Sequence, residues 1–539
     1  MDHNVGYGVL APENFSDIFP DEEGNTLLFG QQAATYGSLG NVSDSTNDSY
    51  HRWYDYDSMV NRSYQDEQSY HGTAYETETD YGAYSCNQSC CTDTDGATVL
   101  PPDRESINYI SRTDASATEE TFYYLEKNVT GSASTALVGW NIVNLLLSTS
   151  LLCFPFAIAM GGYVVLPFIF LICVVTNYTS RILVNMMYEK STDYHSRRRR
   201  VRIRVDYVDL AQDVFNSRKG AWFIQTFQVF EMVAICVLNI CVLGRLTHEI
   251  VPGVNIHGCT AIAAVLALPT FFIRKLAVIG WMQTIGVFSL AMGLIIVQGY
   301  CLGNVSKWSI SSVPKHNISA LPIAIGIIIY AFGIHGVMPG LEEQMGKRKR
   351  FGFVINLTFF LAAGVQCFFG FTNAILYGGK TNQVITVDLQ NHFALGVATA
   401  CFIGISILSH FSLPTFVVLE KLDNAIHQMF PCCPSHGENN FNLFLSVCLR
   451  FVVMGFSLGV AVLVPYFAYL MAFVGSTITV IMSLVVPCSF HLKLCRAQLR
   501  WWQITIDGFI ILFGILCFMF GSYFAFMAIF TEHSQNEGF

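Results

Sequence analysis

Two runs of polar or helix-breaking residues interrupt otherwise apolar stretches of this chain. The first is Ser-Thr-Ser at residues 148–150, followed by Pro155. The second surrounds His335, which has glycines on both sides and Pro339 shortly after it. Backbone that leaves helical hydrogen bonding in an apolar environment must be satisfied by protein, water or a bound molecule, so both runs are candidate binding sites. The alternative for each is a kinked structural helix.

One carboxylate, Glu231, lies about ten residues into a third apolar stretch, too deep to reach water easily. Removal from water disfavours the charged form of a carboxylate, so such a group can take up and release a proton during a cycle. The alternative is a buried ion pair, with Arg450 as the candidate partner. Arg181 and Asp507 lie near the ends of their stretches, where side chains can reach headgroups, and we expect structural roles for both.

His335 also has two interpretations. A single histidine in an apolar helix is more often a packing residue than a proton carrier. Here the flanking Gly333 and Gly336 weaken the helix and free carbonyl oxygens, while an imidazole titrates near neutral pH. We therefore expect regular helix to stop near Phe332 and treat His335 as a second candidate for proton coupling.

These residues must be positioned by membrane-spanning helices. About half of the 539 residues are apolar and 13% are charged, and windows of about twenty apolar residues recur from Ala133 onward. Eleven such windows predict an all-α polytopic membrane protein with residues 134–530 as its transmembrane domain. The fourth window, residues 258–273, is the shortest. The predicted spans are 135–160, 163–188, 221–243, 258–273, 276–301, 320–340, 354–378, 393–419, 441–464, 466–490 and 504–530.

The two interruptions fall in the first and the sixth predicted spans. That spacing is typical of transporters built from two inverted five-helix repeats, in which half-helix N-termini face an anionic group and freed carbonyls face a cation. A zwitterionic amino acid presents both groups. The sequence has no repeated selectivity filter and no nucleophile, metal or nucleotide motif, so we expect neither a channel nor an enzyme, no cofactor and no nucleic-acid partner.

The distribution of Lys and Arg predicts the orientation. With the N-terminus inside, nineteen Lys and Arg residues fall in cytoplasmic loops and four on the other side. The C-terminal segment, residues 531–539, is then a short exoplasmic tail. Asn304 and Asn317 each begin an N-x-S sequon in a predicted exoplasmic loop and are candidate glycosylation sites.

Residues 1–133 differ from the rest of the chain. They hold 23 of the 39 acidic residues and five of the 30 basic ones, without a long apolar run, which predicts a disordered cytoplasmic tail. Glu23, Leu27 and Leu28 fit the acidic dileucine pattern that clathrin adaptors bind. We therefore expect clathrin adaptor complexes as partners of the tail and recycling to intracellular vesicles.

The chain resembles the amino acid/auxin permease family, and within it the branch of vesicular GABA and glycine (vesicular inhibitory amino acid) transporters. The motifs that carry the resemblance are GWNIVNLLLSTSLLCFPFAIAMGGY (139–163), RVDYVDLAQDVF (204–215), IGIIIYAFGIHGVMPGLEEQM (325–345), HFSLPTF (410–416) and VPYFAYLMAFVGS (464–476). The resemblance implies proton-coupled movement of neutral amino acids from cytosol to an acidic lumen, with chloride as a further candidate ion. It also implies a cytoplasmic or synaptic vesicle membrane, with the C-terminus lumenal. The fold that it implies is the leucine-transporter-type inverted repeat with eleven helices, of which the first and the sixth are broken.

The resemblance further implies residue roles. Backbone near Ser148 is expected to contact the substrate carboxylate, carbonyls near Phe332 the amino group, and Glu231 to couple protons. The full set of candidate substrate-binding residues is Asn144, Ser148, Thr149, Ser150, Leu151, Phe332, Gly333, His335 and Gly336. Two alternatives stay open: a sodium-coupled plasma-membrane carrier using Ser406, Ser409 and Ser412, which are otherwise packing residues, and an amino-acid sensor that signals through its N-terminal tail.

Overall fold

The computed structural model describes residues 133–192, 198–204, 206–273, 276–389, 393–429 and 440–537. The predicted tail, with Glu23, Leu27 and Leu28, lies outside these residues. The described part is almost entirely helical, as the apolar windows predict. Its helices are α1 (Thr135–Leu147), α2 (Phe154–Gly161), α3 (Val165–Met186), α4 (Tyr207–Phe215), α5 (Arg218–Ile250), α6 (Ile256–Ala267), α7 (Leu276–Gly303), α8 (Leu321–Phe332), α9 (Met338–Gln344), α10 (Phe351–Tyr377), α11 (Phe393–Met429), α12 (Asn440–Leu463), α13 (Phe467–Val474), α14 (Val486–Leu494), α15 (Trp501–Leu516) and α16 (Ser522–Glu537).

Ten stretches within the described residues are long and apolar enough to cross a membrane. They are Thr135–Gly161, Val165–Met186, Arg218–Ile250, Val278–Gly303, Leu321–Gln344, Arg348–Lys380, Phe393–Asp423, Phe444–Leu463, Phe467–Leu494 and Trp501–Gln535. The predicted fourth span is a shorter apolar helix, Ile256–Phe272, whose last turn becomes a 3₁₀-helix at Pro269. The predicted count of eleven is therefore not confirmed, although the spans keep their predicted numbers below.

Helix boundaries follow local chemistry. Asp206 caps α4 by accepting hydrogen bonds from the backbone N–H groups of the first turn. Asn216, in the left-handed region at φ 47°, ends α4, and Ser217 caps α5. At the other end of the chain α16 runs through Glu537, further than the predicted boundary at residue 530, because no Gly or Pro occurs before Gly538 to stop it.

A two-stranded antiparallel hairpin is an exception to the predicted all-α fold. Strands β1 (Tyr188–Thr192) and β2 (Arg198–Arg202) pair with Tyr188 opposite Arg202. The hairpin lies between the second and third spans, in a predicted cytoplasmic loop. We call this end of the bundle, with residues 342–350, the inner end. The end that holds residues 304–320 and 378–389 is the outer end.

The centre of the bundle is built from the two interrupted spans and their neighbours. α8 packs against α2, α3 and α13, and α10 packs against α1, α2 and α3. On the periphery, large apolar residues at seven-residue spacing on α7, such as Trp281, Phe288 and Ile295, are exposed. An exposed apolar stripe of this kind is typical of a lipid-facing helix. The two breaks thus lie among the most buried helices.

Candidate functional site

The first span breaks where the Ser-Thr-Ser run predicts. Regular helix ends at Leu147, and a 3₁₀ segment, Thr149–Cys153, leads into α2. Pro155 lies in the first turn of α2, where its missing N–H costs nothing, whereas in an uninterrupted helix it would lose a hydrogen bond and clash with the preceding turn. One freed carbonyl, that of Leu146, accepts a hydrogen bond of 2.9 Å from Gln366 Nε2 on α10.

Hydroxyls at this break are buried. Ser150 is fully buried and its Oγ has no hydrogen-bond partner among the described residues, whereas Thr149 is nearly as buried and Ser148 is partly exposed. An unsatisfied buried hydroxyl costs free energy unless a bound molecule or water pairs with it. The break therefore presents a polar atom with unused hydrogen-bonding capacity, as a binding site requires. Leu151 is fully buried in the same turn.

The sixth span breaks at the predicted residue. α8 ends at Phe332, and Gly333 has φ −83° and ψ 56°, outside the helical region. Thr479 of the tenth span approaches so closely that a Cβ on Gly333 would lie 1.9 Å from Thr479 Cγ2. Only glycine fits this contact. Phe332 is fully buried and stacks on Phe359 of α10, with 5.9 Å between ring centroids.

The structure brings the two breaks together. The 3₁₀ segment Thr149–Cys153 packs against α8, and α2 packs against the same helix. Both interruptions therefore lie in one region of the bundle, which confirms the predicted pairing of a broken first and a broken sixth span. Half-helix ends that meet in a buried region can bind the two charged groups of one small zwitterion.

Glu231 lies beside the sixth-span break. It is 4% exposed, and a Cβ on Gly336 would lie 3.6 Å from Glu231 Oε2 and 3.8 Å from Gln228 Nε2. The Thr479 side chain also neighbours the carboxylate, without a hydrogen bond of normal geometry. Glu231 Oε2 and Gln228 Oε1 are buried without a hydrogen-bond partner among the described residues. The predicted carboxylate thus adjoins a predicted break, and Gln228 is a neighbour that no sequence pattern indicated.

The ion pair considered for Glu231 does not form. Arg450 Nε donates to the Phe271 carbonyl at 2.9 Å, Arg450 Nη1 donates to the Ser446 carbonyl at 2.8 Å, and Arg450 Nη2 lies 3.8 Å from Asp423 Oδ2. Arg450 therefore connects α12 to the end of the short apolar helix Ile256–Phe272. Within the described part of the chain, Glu231 has no salt bridge.

His335 is 1% exposed and faces α3. Its Nε2 lies 2.8 Å from Thr179 Oγ1 and 3.0 Å from Ser180 Oγ, whereas its Nδ1 is buried without a hydrogen-bond partner in the described structure. One ring nitrogen is thus held as in a packing histidine, and the other keeps an unused site. Its role in proton coupling stays a prediction.

Asn144, half-buried on α1, contacts His410, which is not among the predicted site residues. His410 Nε2 on α11 lies 3.2 Å from Asn144 Oδ1, and His410 Nδ1 lies 2.9 Å from the Ser406 carbonyl oxygen. The sequence did hold a signal for this histidine, because His410 opens the HFSLPTF motif within an apolar span.

Two serines of the sodium-coupled alternative donate to carbonyls of their own helix, Ser409 to Ile405 and Ser412 to Ser409, as packing serines do.

Asp507 lies inside the bundle among structural contacts rather than at the headgroups. It is fully buried, accepts a 2.8 Å hydrogen bond from the Tyr178 hydroxyl and lies 2.7 Å from His491 Nδ1. The reason is that α15 presents this residue to α14 and α3 rather than to lipid. Arg181 is exposed, in keeping with its predicted position near a helix end.

The two predicted sequons lie at the outer end. Asn304 directly follows α7, and its Nδ2 donates to the Tyr300 carbonyl at 2.9 Å. Asn317 precedes α8, and its Oδ1 accepts from the Ser319 hydroxyl at 2.8 Å. Both are partly exposed. Among the described residues no cluster of His, Cys, Asp and Glu has a metal-binding arrangement.

The chain matches known proteins over most of its described residues. Residues 131–527 match the family described as "Transmembrane amino acid transporter protein". The chain is 29% identical to the vesicular inhibitory amino acid transporter of Xenopus tropicalis over 394 residues, 71% of this chain and 74% of that one. It is 25% identical to amino acid transporter AVT1E of Arabidopsis thaliana over 415 residues, 73% of each chain. A solved structure of MhsT in complex with L-phenylalanine aligns at a TM-score of 0.41 and 10% identity, covering 74% of this chain and 99% of that one.

Proposed function

Because the chain belongs to the transmembrane amino acid transporter protein family, we propose that it is a proton-coupled secondary transporter of small neutral amino acids. Its membrane is a vesicle membrane, and its direction is from cytosol to acidic lumen. The family match covers the two broken spans and Glu231. The relatives, a vesicular inhibitory amino acid transporter and an amino acid transporter, support the substrate class and the vesicle membrane.

The observation that carries the proposal is the position of Glu231. A buried carboxylate with an unpartnered oxygen lies against Gly336, at the break expected to hold the amino group of the substrate. A carboxylate in this position binds a proton and a substrate ammonium in competition, because both stabilise the same negative charge. Substrate and proton are then exchanged across the site, which couples their movements.

The substrate lies between the two breaks in this proposal. Backbone N–H groups and the free Ser150 hydroxyl at the first break bind its carboxylate, since a half-helix N-terminus carries partial positive charge. Carbonyl oxygens from Phe332 to Gly336 bind its amino group. The side chain of the amino acid contacts apolar residues such as Leu151 and Phe332.

The experiment is uptake by the purified full-length protein in proteoliposomes with an imposed pH gradient, acidic inside. Radiolabelled GABA, glycine and alanine are compared in the wild type and in Glu231→Gln. We expect Glu231→Gln to lose uphill uptake, because the amide cannot carry a proton, and to keep substrate exchange between equal internal and external concentrations. Glu249→Gln is the matched control, since it changes a similarly buried glutamate on the same helix, away from the breaks. It should retain uptake.

Several outcomes decide against the proposal. Normal gradient-driven uptake by Glu231→Gln removes the proposed coupling role. Uptake that requires sodium and ignores the pH gradient favours the plasma-membrane carrier. Binding of an amino acid without net flux favours the sensor. Varying chloride separately from pH and membrane potential tests chloride as a coupled ion.

The vesicle location rests on the tail and has its own test. The Leu27/Leu28→Ala double variant should accumulate at the cell surface, because the dileucine pair that clathrin adaptors bind is removed. Glu13→Gln, an acidic residue of the same tail outside the motif, is the control. An unchanged distribution of the double variant would contradict adaptor-dependent recycling.

A further inference from the structure

A polar cavity lies at the outer end of the bundle, separate from the two breaks. Its volume is about 240 Å³, several times the roughly 30 Å³ that one water occupies in the liquid. It is roofed by residues 381–387, the loop that follows the seventh span. The loop is tied to the first-span break, because Cys153 Sγ lies 3.1 Å from the Gln383 carbonyl oxygen. The cavity is therefore next to the proposed transport site.

Two opposite charges line this cavity. Arg245 comes from α5 and Glu532 from α16, and neither forms a salt bridge with any described residue. Arg245 Nη2 donates to the Pro465 carbonyl at 3.1 Å, which holds the guanidinium in place. Arg245 Nε is buried and has no hydrogen-bond partner in the described structure. The arginine thus retains donor capacity that a carboxylate satisfies well.

Aromatic and amide groups complete the lining. Phe156 of α2 and Tyr469 of α13 meet edge to face, with 5.8 Å between ring centroids. Such rings attract an ammonium group and cover an aliphatic chain. Asn382 and Gln383 add polar groups from the loop. The Gln383 side chain is itself positioned by a 3.2 Å hydrogen bond that its Oε1 accepts from the Ala468 backbone.

We infer that the outer cavity is a second binding site for a zwitterionic amino acid, with Arg245 holding the carboxylate and Glu532 with the two rings holding the ammonium. The inference rests on the proposed function for its ligand class. A site with one cation, one anion and an apolar wall selects a molecule that carries both charges. A ligand bound there lies between the outer solution and the first-span break.

The test measures binding rather than transport. Equilibrium binding of radiolabelled GABA to the full-length protein in nanodiscs should show two sites per wild-type chain. Arg245→Gln and Glu532→Gln should both weaken GABA binding at the same site, the outer cavity, by at least about tenfold, a change of about 1.4 kcal/mol. Both variants should leave GABA binding at the other site unchanged. Lys380→Gln, which removes an exposed cation at the same end, is the control and should keep both sites.

Butyrate, which is GABA without its amino group, tests the ligand class. A zwitterion site should bind butyrate much more weakly than GABA, because Glu532 repels a ligand that has only a carboxylate. Equal binding of butyrate, or displacement of GABA by chloride with no effect of Glu532→Gln, would show an anion site and overturn the inference.

The outcomes separate this inference from the proposed function. One GABA site per chain that Arg245→Gln leaves unchanged overturns the outer site while the transport proposal stands. Absence of GABA binding in every variant, with glycine and alanine also unbound, overturns both. A melting temperature within a few degrees of the wild type shows that each variant is folded, and Arg245→Lys, which keeps the charge, should retain part of the affinity.

Discussion

The inner and outer ends of the bundle handle buried charge in opposite ways. At the inner end Glu342, whose side chain is 1% exposed, lies 3.2 Å from Arg202 Nη1 and 3.9 Å from Arg348 Nε. It also accepts a hydrogen bond from the Tyr188 hydroxyl. At the outer end Glu249 is almost as buried, yet accepts one hydrogen bond, 2.7 Å from Thr386, and its Oε2 has no hydrogen-bond partner among the described residues.

Further contacts fasten the inner end. Arg202 bridges to the sixth span through the Pro339 carbonyl at 3.1 Å and to Glu343 Oε2 at 3.6 Å. The backbone of Ala133 pairs with Gln344 and Gly346 on the same segment. Burial, and next the hydrogen bond to Glu342, raises the pKa of Tyr188, so this phenol stays a donor. The hairpin and the start of the first span thus hold α9 in place.

The outer end instead leaves space and unpaired charge. The cavity lined by Arg245 and Glu532 lies at this end. Within the described residues, neither of these side chains is paired as Glu342 is with Arg202 and Arg348 at the inner end. The ion pairs of Glu342 thus join the hairpin to the sixth span at the inner end, whereas the outer end has a cavity. Four variants test this difference by their effects on thermal unfolding of the full-length protein.

The largest effect is expected for Glu342→Gln. The amide removes the buried carboxylate that lies nearest to Arg202 and also contacts Arg348, and breaking a buried pair in this way costs about 3 kcal/mol. The melting temperature in detergent should fall by several degrees. Glu343→Gln is the matched control, since its side chain is 37% exposed, and it should change little. Equal changes of melting temperature in the two variants would show that the buried ion pairs of Glu342 contribute no more to stability than the exposed Glu343 does.

The same substitution at the outer end should act differently. Glu249→Gln keeps an oxygen for the Thr386 hydroxyl and replaces a buried carboxyl group that forms no salt bridge with the described residues. We expect a melting temperature equal to the wild type or higher, within about 1 kcal/mol of stability. A destabilisation as large as that of Glu342→Gln would show that Glu249 is paired in solution and would erase the contrast between the ends.

A smaller, pH-dependent effect is expected at Asp388, in the outer loop. Burial raises the pKa of Asp388 to about 6, although hydrogen bonds from Asn382 oppose the shift. A carboxyl whose pKa is raised in the folded state destabilises that state when ionised, and the cost fades as the pH falls from about 6 toward its ordinary value of 3.8. The ionisable neighbours of Asp388 are Glu249 and Tyr377.

Asp388→Asn should therefore be more stable than the wild type above pH 6, by less than about 1 kcal/mol because the amide accepts fewer of the Asn382 hydrogen bonds. The two melting temperatures should converge between pH 6 and pH 4.5. Measurement over pH 4.5–7.5 checks the sign, and a difference that stays constant across this range would contradict it.

The smallest effect is expected for Asp213→Asn at the inner end. Arg204 Nε lies 2.7 Å from Asp213 Oδ2, but the Asp213 side chain is 31% exposed, so water replaces much of the lost interaction. A partly exposed pair contributes about 0.5 kcal/mol. Arg204 also keeps its 2.7 Å hydrogen bond to the Met186 carbonyl. A fall in melting temperature as large as that of Glu342→Gln would show that burial does not determine how much each ion pair at the inner end contributes to stability.

Local chemistry explains which features were predicted. The break at Ser148 and the end of α8 at Phe332 depend on residues within one turn, namely the Ser-Thr-Ser run with its proline and the glycines around His335. The burial of Glu231 follows from its depth in an apolar helix. Each of these depends on nearby sequence, so it was visible before the structure.

Partner choice was not predictable in the same way. Arg450 pairs with Ser446 and Asp423 rather than with Glu231, and Asp507 with Tyr178 and His491 rather than with headgroups. The Tyr178–Asp507 contact joins residues 329 positions apart. Such contacts depend on which faces of distant helices meet, and hydropathy does not record the rotation of a helix about its axis.

The sequence by itself determined that this is a helical membrane protein with broken first and sixth spans, because hydropathy, glycine and proline act locally along the chain. Its motifs carry the resemblance to the amino acid transporter family. The tertiary structure decided what those elements surround. It placed Glu231 against the sixth-span break, closed the inner end around Glu342 and left a charged cavity beside Arg245. These arrangements arise because helices far apart in the sequence pack together, and that packing sets the distances between their side chains.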